Sequence, residues 1–484
     1  MKAKNISFVF LFLLTLVLLV ACGGNSDNNG YDAYTNDNSN DVADQDPEGI
    51  INEIPNQAEN VLSVAVIEGP FASHLSVIAN RMESDMADEG VDITINLNVI
   101  EFEDIESHVT RMSVGLMAGQ HLYDVFDPWW HNVHALRDRG FILDFNELLY
   151  NDPIRNRDDY FENVLGALEV GGRLYTFPMF FRPDMIGINN RRVPQVFIDR
   201  FSQYASISIL EMMRIQNDIH ELHPDLSHLG LMHEVDNFFG CSRSPVNILM
   251  REAESHINFT TRTSNLTAPN FVEFISNINT AFGDISHLFG DSSGMVTGII
   301  MRNSVRHVEQ GVFTLYGGNM RVEESLFNVV NPYFVHSVPF VDNEGRLHIS
   351  GIHLFSISAA TVNPDLAWEF VARVADSTRV VDYSIAMHIP INRVSAESRI
   401  RDLMYAFTID TRFTLPLADD TNINNQIDEA TGRLMDIISM PMTTDMSLPT
   451  TLVEDILEYF LLDVITAETA AQQLQNRISL WLIE

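Results

Sequence analysis

The chain has 484 residues, 46% of them hydrophobic and 10% aromatic, which is enough for two or more globular cores. Its formal net charge is −37. So acidic a surface repels phosphate backbones and anionic lipid headgroups, which argues against nucleic acid as a partner.

Met1-Lys2-Ala3-Lys4 is a short basic start, Ile6 to Val20 an apolar run interrupted only by Ser7 and Thr15, and Leu19-Val20-Ala21-Cys22 follows with Gly23-Gly24 behind it. The run is too short and wrongly flanked for a spanning helix. Leu-Val-Ala-Cys resembles the bacterial lipobox, which implies cleavage before Cys22 and lipidation of its thiol and amine; the rival is an ordinary secretory signal with a chance cysteine. Cys241 is then the one remaining thiol and reads as a buried free cysteine. From Gly23 to about Asn60, Asn, Asp, Gly and Ser dominate, and such a segment cannot bury enough surface to offset its ordering entropy. It reads as a flexible tether.

Val61 to Ile67 is a β-branched apolar run closed by the turn Glu68-Gly69-Pro70, after which Leu75, Ile78, Ala79, Met82 and Met86 recur at helical spacing. Alternation at Ile93, Ile95, Leu97 and Val99 predicts a second strand, Val109, Met112 and Leu116 a second helix, and Tyr123 to Phe126 a third strand. A β-α-β-α-β order calls for a mostly parallel sheet with helices on both faces. Ligands of such sheets bind beyond the carboxyl ends of the strands. Two loops fall there, Glu68-Gly69-Pro70-Phe71 and Asp127-Pro128-Trp129-Trp130-His131.

The second loop carries the strongest candidate chemistry. Tandem indoles beside a carboxylate offer a sugar ring an apolar face to stack on and an acceptor for its hydroxyls. The competing placement buries both indoles in the core; the preceding strand end and the neighbours Asp127, Pro128, His131 and Asn132 favour at least one facing a cleft. His131 and His134 lie three apart on the next helix, a spacing compatible with zinc, but no third ligand follows at a matching distance. A solvated helix face is the preferred reading, and no metal is expected.

Gly171 to Arg192 organises the middle of the chain. Gly171-Gly172 reads as a hairpin tip, Tyr175 and Phe177 as a short strand stopped by Pro178, Arg182-Pro183-Asp184 as a polar interruption, and a second strand enters Asn189-Asn190. A strand that stops, turns polar and resumes predicts a crossover between two lobes.

The lipobox, the tether, the β-α-β opening, Tyr123-Asp124-Val125 before a ligand loop, Phe141 to Phe145 after Gly140, and Gly171 to Pro178 together resemble the extracellular solute-binding proteins of ABC importers. That large family includes the maltose-binding protein. Its tip is followed by an aliphatic-tyrosine-asparagine-lysine strand, from which Ile188-Asn189-Asn190-Arg191 departs at Asn189 and Arg191. The likeness continues through a helix over Val305 to Gln310, a strand over Val312 to Tyr316 and the Gly317-Gly318 turn. Pro339-Phe340, Asn343-Glu344-Gly345 and Gly351-Ile352-His353 resemble the return crossover. Asn363 to Phe370 resembles a turn and packed helix with Trp368 on its core stripe, Ile389 to Arg393 a proline-bearing turn, and Ala471, Leu474, Ile478 and Leu482 mark an amphipathic terminal helix.

The resemblance implies an α/β fold of the periplasmic-binding-protein type, with two lobes, each a mostly parallel sheet flanked by helices, a ligand cleft between them and crossovers at the hinge. Residues 1–21 would be the signal peptide, 22–60 the disordered acidic tether, 61–180 with 352–398 one lobe, and 181–351 with 399–484 the other. It implies binding by lobe closure rather than catalysis. The expected ligand is a mono- or oligosaccharide, delivered to ABC permease subunits by a cofactor-free monomer lipid-anchored on the outer face of a Gram-positive membrane. Glu68 and Asp127 would accept hydroxyl protons, Trp129 and Trp130 stack beside His131, Phe180 and Phe181 floor the cleft, and Arg182 serve as a donor fork at the crossover. Gly317, Gly318 and Asn319 would face them from the other lobe, with Gly351 and His353 on the return crossover. Asn319 stands where oligosaccharide binders commonly carry an aromatic, which weakens the case for a long linear glucan.

Three other readings compete. Glu68 and Asp127 as a glycosidase pair would have to face each other across a bond, yet both lie on one lobe edge, and no Gly-x-Ser-x-Gly, His-Glu-x-x-His or phosphate loop occurs. A receptor feeding a sensor kinase would share the fold and cleft and differ in its partner. A ferric-ion binder would call for paired tyrosines that are not evident.

Overall fold

The computed structural model describes residues 60–483 apart from 102–103, 121, 129–130, 132, 190–191, 228–229, 235–244, 283–310, 318–333, 378–387, 410–419, 445–447 and 449–451. The signal stretch, Cys22, the tether, Cys241 and the expected helix over 305–310 lie outside the described residues. Among the described residues, no helix is long and apolar enough to cross a membrane.

The strands are β1 (Val61–Ile67), β2 (Thr94–Ile100), β3 (Val125–Phe126), β4 (Phe177–Asn189), β5 (Ile207–Ser208), β6 (Gly230–Glu234), β7 (Ile257–Asn258), β8 (Thr263–Ser264), β9 (Gly311–Gly317), β10 (Phe334–Val341), β11 (Leu347–Ile357), β12 (Ile389–Pro390) and β13 (Met442–Thr444). β2, β1 and β3 pair in parallel, joined by the helices Pro70–Asp88 and Ile105–Met117. Those helices bury Leu75, Ala79 and Met82, and Met112 and Leu116, the residues whose spacing predicts them. At Gly69 the backbone takes φ 146°, which lets the chain leave β1 and place Pro70 in the first helical turn. The main sheet runs β2-β1-β3-β11-β10-β4-β9-β6, and β7 with β8 forms a separate hairpin. Pairing is parallel at its two outer ends and antiparallel where β4, β10 and β11 meet.

β4 is one strand of 13 residues, where the sequence predicts two strands split by a polar turn. Its prolines are tolerated because its neighbours change along its length. Phe177 to Pro183 pair with β11, with register slips between Ser350 and Leu354, and Asp184 to Asn189 pair with β9 and β10.

Two large apolar cores lie along this sheet. One contains Leu62, Leu75, Phe145, Phe177, Phe355 and Phe370, the other Ile188, Phe201, Ile215, Phe274 and Phe340. β4 passes from the first to the second between Met185 and Ile186, and the turn between β10 and β11 brings the chain back. The helices Arg393–Ile409 and Asp420–Ile437 join the first core through Ile400, Ile427 and Leu434, so it extends well past residue 398. Only the last two helices, Glu454–Leu461 and Ala467–Trp481, return to the second. The proline turn at Pro390 signals a break but says nothing of which core the next helices cover.

Trp368 is buried against Phe145 and Phe177, and its Nε1 donates to Asp152 at 2.7 Å. Trp368→Phe removes that donor to an ionised carboxylate and part of the packing, so a loss of about 2 kcal/mol is expected in urea unfolding.

Candidate functional site

Ala65 of β1 registers with Phe126 of β3, so Glu68 and Asp127 leave the sheet on the same edge. The Glu68 N–H donates to the Ile100 carbonyl at 2.8 Å and the Asp127 N–H to the Ala65 carbonyl at 3.1 Å. These backbone bonds tie both half-buried residues to the strand ends. Trp129 and Trp130, two residues further on, lie outside the described residues.

The loop after β1 packs against the crossover strands. Phe71 stacks on His353 of β11 at 4.4 Å and meets Phe180 of β4 edge-on at 6.1 Å. Across the sheet His353 pairs with Phe180 and Ser350 with Arg182. His353 also faces His388 at 5.2 Å. His74, one turn into the helix, is fully buried, and neither of its ring nitrogens has a hydrogen-bond partner. Burial lowers the His74 pKa to about 4. Burial, then the charges of Arg182 and His74, lowers that of His353 to about 4 as well. Both rings are therefore neutral at pH 7.

Phe71, three residues after Glu68, thus shares one neighbourhood with Phe180, Arg182 and His353, but Phe180 and Phe181 expose no surface there. Phe180 lies beneath Phe71 and His74, and Phe181 packs edge-on against Phe161 inside the first core. In this conformation they support the crossover rather than face a ligand. Gly317 closes β9 opposite Asp184, and Gly351 lies in β11 where the register with β4 slips. Gly318 and Asn319 lie outside the described residues.

His131 and His134 are not on a solvated helix face. His131 is buried edge-on to Phe126 at 5.7 Å and His108 at 6.1 Å. His134 stacks on Phe259 at 4.9 Å, with 5° between the rings, and meets Trp481 edge-on at 5.9 Å. Burial lowers both to about 4, reinforced by His108 at His131 and by Arg137 at His134. The groups around His131 lie nearby in the chain, whereas those covering His134 come from the β7–β8 hairpin and the terminal helix, more than a hundred residues away in sequence. Local spacing carries no trace of them.

One buried group escaped the sequence reading. Asp184 of β4 is fully buried and ion-paired with Arg251, itself 5% exposed, from the helix Pro245–Ser255. The same helix buries Glu252, which accepts from the Asn343 side chain in the β10–β11 turn, and Glu254, which accepts from the Leu448 N–H at 2.9 Å. One helix therefore grips the outgoing crossover through Arg251 and the returning turn through Glu252. The available signal was the charged run around Arg251 lying against the buried Leu249, Met250 and Ala253.

No family model matches the sequence, and no curated protein matches it. Solved structures match most of the chain. The sugar-binding protein MalE of Xanthomonas citri is 12% identical, over 87% of this chain and 97% of that one, with a TM-score of 0.55. An extracellular solute-binding protein family 1 from Alicyclobacillus acidocaldarius is 12% identical, over 88% and 98%, with a TM-score of 0.51. A sugar transporter from Rhizobium etli in an open conformation is 10% identical, over 86% and 98%, with a TM-score of 0.51. The chain has the α/β fold of the extracellular solute-binding proteins.

Proposed function

We propose that the protein captures a carbohydrate, a mono- or oligosaccharide, between two lobes on the outer side of a bacterial membrane and presents it to ABC permease subunits, held there by lipid on Cys22. The observation that carries this reading is the shared edge from which Glu68 and Asp127 emerge, with the Trp129-Trp130 loop beginning at Asp127 and Arg182 on the neighbouring crossover. Carboxylates accept sugar hydroxyls, indoles cover the apolar face of a ring, and a guanidinium donates. A ligand touching both lobes then favours closure by the difference between its affinities for the two states. Two carboxylates on one edge do not form the opposed pair that glycoside hydrolysis needs.

Two of the chain's four tryptophans lie in the proposed site, so intrinsic fluorescence should respond to a glycan panel and the response should vanish in Trp129→Ala and Trp130→Ala. Sugars that bind with fluorescence unchanged in both variants would remove the tryptophans from the site. A panel in which no sugar raises the melting temperature would remove the carbohydrate reading itself.

A further inference from the structure

A cavity of about 270 Å³ is lined by Ser113, Met117, His131, Arg139 and Phe141 beside a small apolar cluster of Met112, Leu116, Phe126, Leu136 and Ile142, and by Trp481 of the terminal helix on the side of the second core. Contacts between the two sides hold Trp481 in place. His134 meets it edge-on and stacks on Phe259, Arg262 ion-pairs with Asp138, and the Gly171 N–H donates to Thr260 at 3.1 Å.

The polar part of the lining is rich in donors. Arg139 is exposed, and its guanidinium has no hydrogen bond or ion pair among the described residues. His131 is 9% exposed, and its buried Nδ1 has no hydrogen-bond partner among the described residues. Ser113 adds a hydroxyl. Among the described residues no carboxylate lines the cavity, although the chain carries 66 Asp and Glu residues. A sugar needs acceptors for its hydroxyls, and among ionised groups this wall offers none. A planar guanidinium beside an aromatic wall instead matches a carboxylate on an apolar body. The volume falls below the roughly 300–1,000 Å³ of sites for drug-sized ligands, so the occupant is small.

We infer that this cavity binds a small amphipathic carboxylate, of the arylalkanoate class, with its apolar body between Met117, Phe141 and Trp481 and its carboxylate on Arg139. Among the described residues, the lining takes in His131, at the end of the loop that Asp127 opens, but neither Glu68 nor Asp127. Because Trp481 packs against the second core and Leu136 and Phe141 belong to a smaller cluster with Phe126 and Ile142, occupancy ties those two together. The protein's net charge opposes an anion at long range, so affinity depends on contact with Arg139 and on apolar burial rather than on steering.

Calorimetric titration with 3-phenylpropionate, and with the neutral 3-phenylpropanamide in parallel, tests the assignment. The acid should bind saturably, the amide about tenfold more weakly, and Arg139→Gln should bring the acid down to the level of the amide. Equal binding of acid and amide, unchanged binding of the acid to Arg139→Gln, or no saturation up to tens of millimolar would each overturn it. The exposed position of Arg139 lets the variant fold, and its glycan response should match that of the parent, so failure here is separable from failure of the sugar reading.

Discussion

Asp184→Asn is expected to destabilise the protein by about 3–5 kcal/mol, the loss typical of removing one partner from a buried ion pair. Asp184 has no exposed surface and Arg251 almost none. Deleting the negative charge removes the ionised half of a buried pair while the Arg251 guanidinium stays in a low-dielectric site. The effect has a local address, because Asp184 pairs with Gly317 of β9 at the point where β4 exchanges β11 for β9 and β10. Replacing both partners by apolar residues, Asp184→Leu with Arg251→Met, should recover much of the loss, since an apolar pair carries no unpaired charge. Urea unfolding followed by far-ultraviolet circular dichroism measures both. A single variant within about 1 kcal/mol of the parent, the range of ordinary substitutions, would show that the pair does not hold the crossover together.

The parts of the fold that were legible in the sequence are those whose cause is local. The Val61–Ile67 strand and the helix after it follow from residue type and spacing, and the Gly171-Gly172 tip from two glycines with φ of 64° and 74° that bridge Val170 to Arg173. The shared edge of Glu68 and Asp127 was legible for the same reason, since strand ends in a parallel sheet fall on one side. What escaped was decided at a distance. Pro178 and Pro183 read as strand breakers because nothing nearby reveals that β4 changes partners, and the helices over 393–437 carry an apolar face without saying which core receives it. His134 looks solvent-facing until the β7–β8 hairpin and Trp481 cover it, and His131 until His108 and Phe126 close around it.

Lowering the pH from 7 to 4 is expected to remove several kcal/mol of stability, through histidines that the fold keeps neutral. His74 and His131 have folded-state pKa values of about 4 against 6.5 for the free side chain, mainly because both are buried. Above pH 6.5 both states are neutral and the histidines contribute nothing. As the pH falls through 6.5 the unfolded chain takes up protons that the folded chain refuses, so stability drops by roughly 1.4 kcal/mol per unit for each ring. The drop ends near pH 4, where the folded rings protonate too, at about 3 kcal/mol per fully buried ring. His134 and His353, also lowered to about 4 mainly by burial, add to the loss with the same sign. The carboxylates of Asp152 and Glu369 act separately: burial raises their pKa values, but hydrogen bonds from the Ile154 and Arg155 backbone to Asp152, and from the Arg155 and Arg373 side chains to Glu369, lower them further. The stability those acids contribute persists through the histidine window and disappears only at lower pH. His74→Leu separates the two phases, because an apolar side chain of similar size removes one titrating ring from beside Phe71 and Phe180. Urea unfolding free energies at several pH values between 7 and 4 should then fall less steeply, by about one proton's worth of slope. If the slope in His74→Leu matches the parent, the imidazole is not held neutral by burial, and the acid sensitivity of the crossover region has another source.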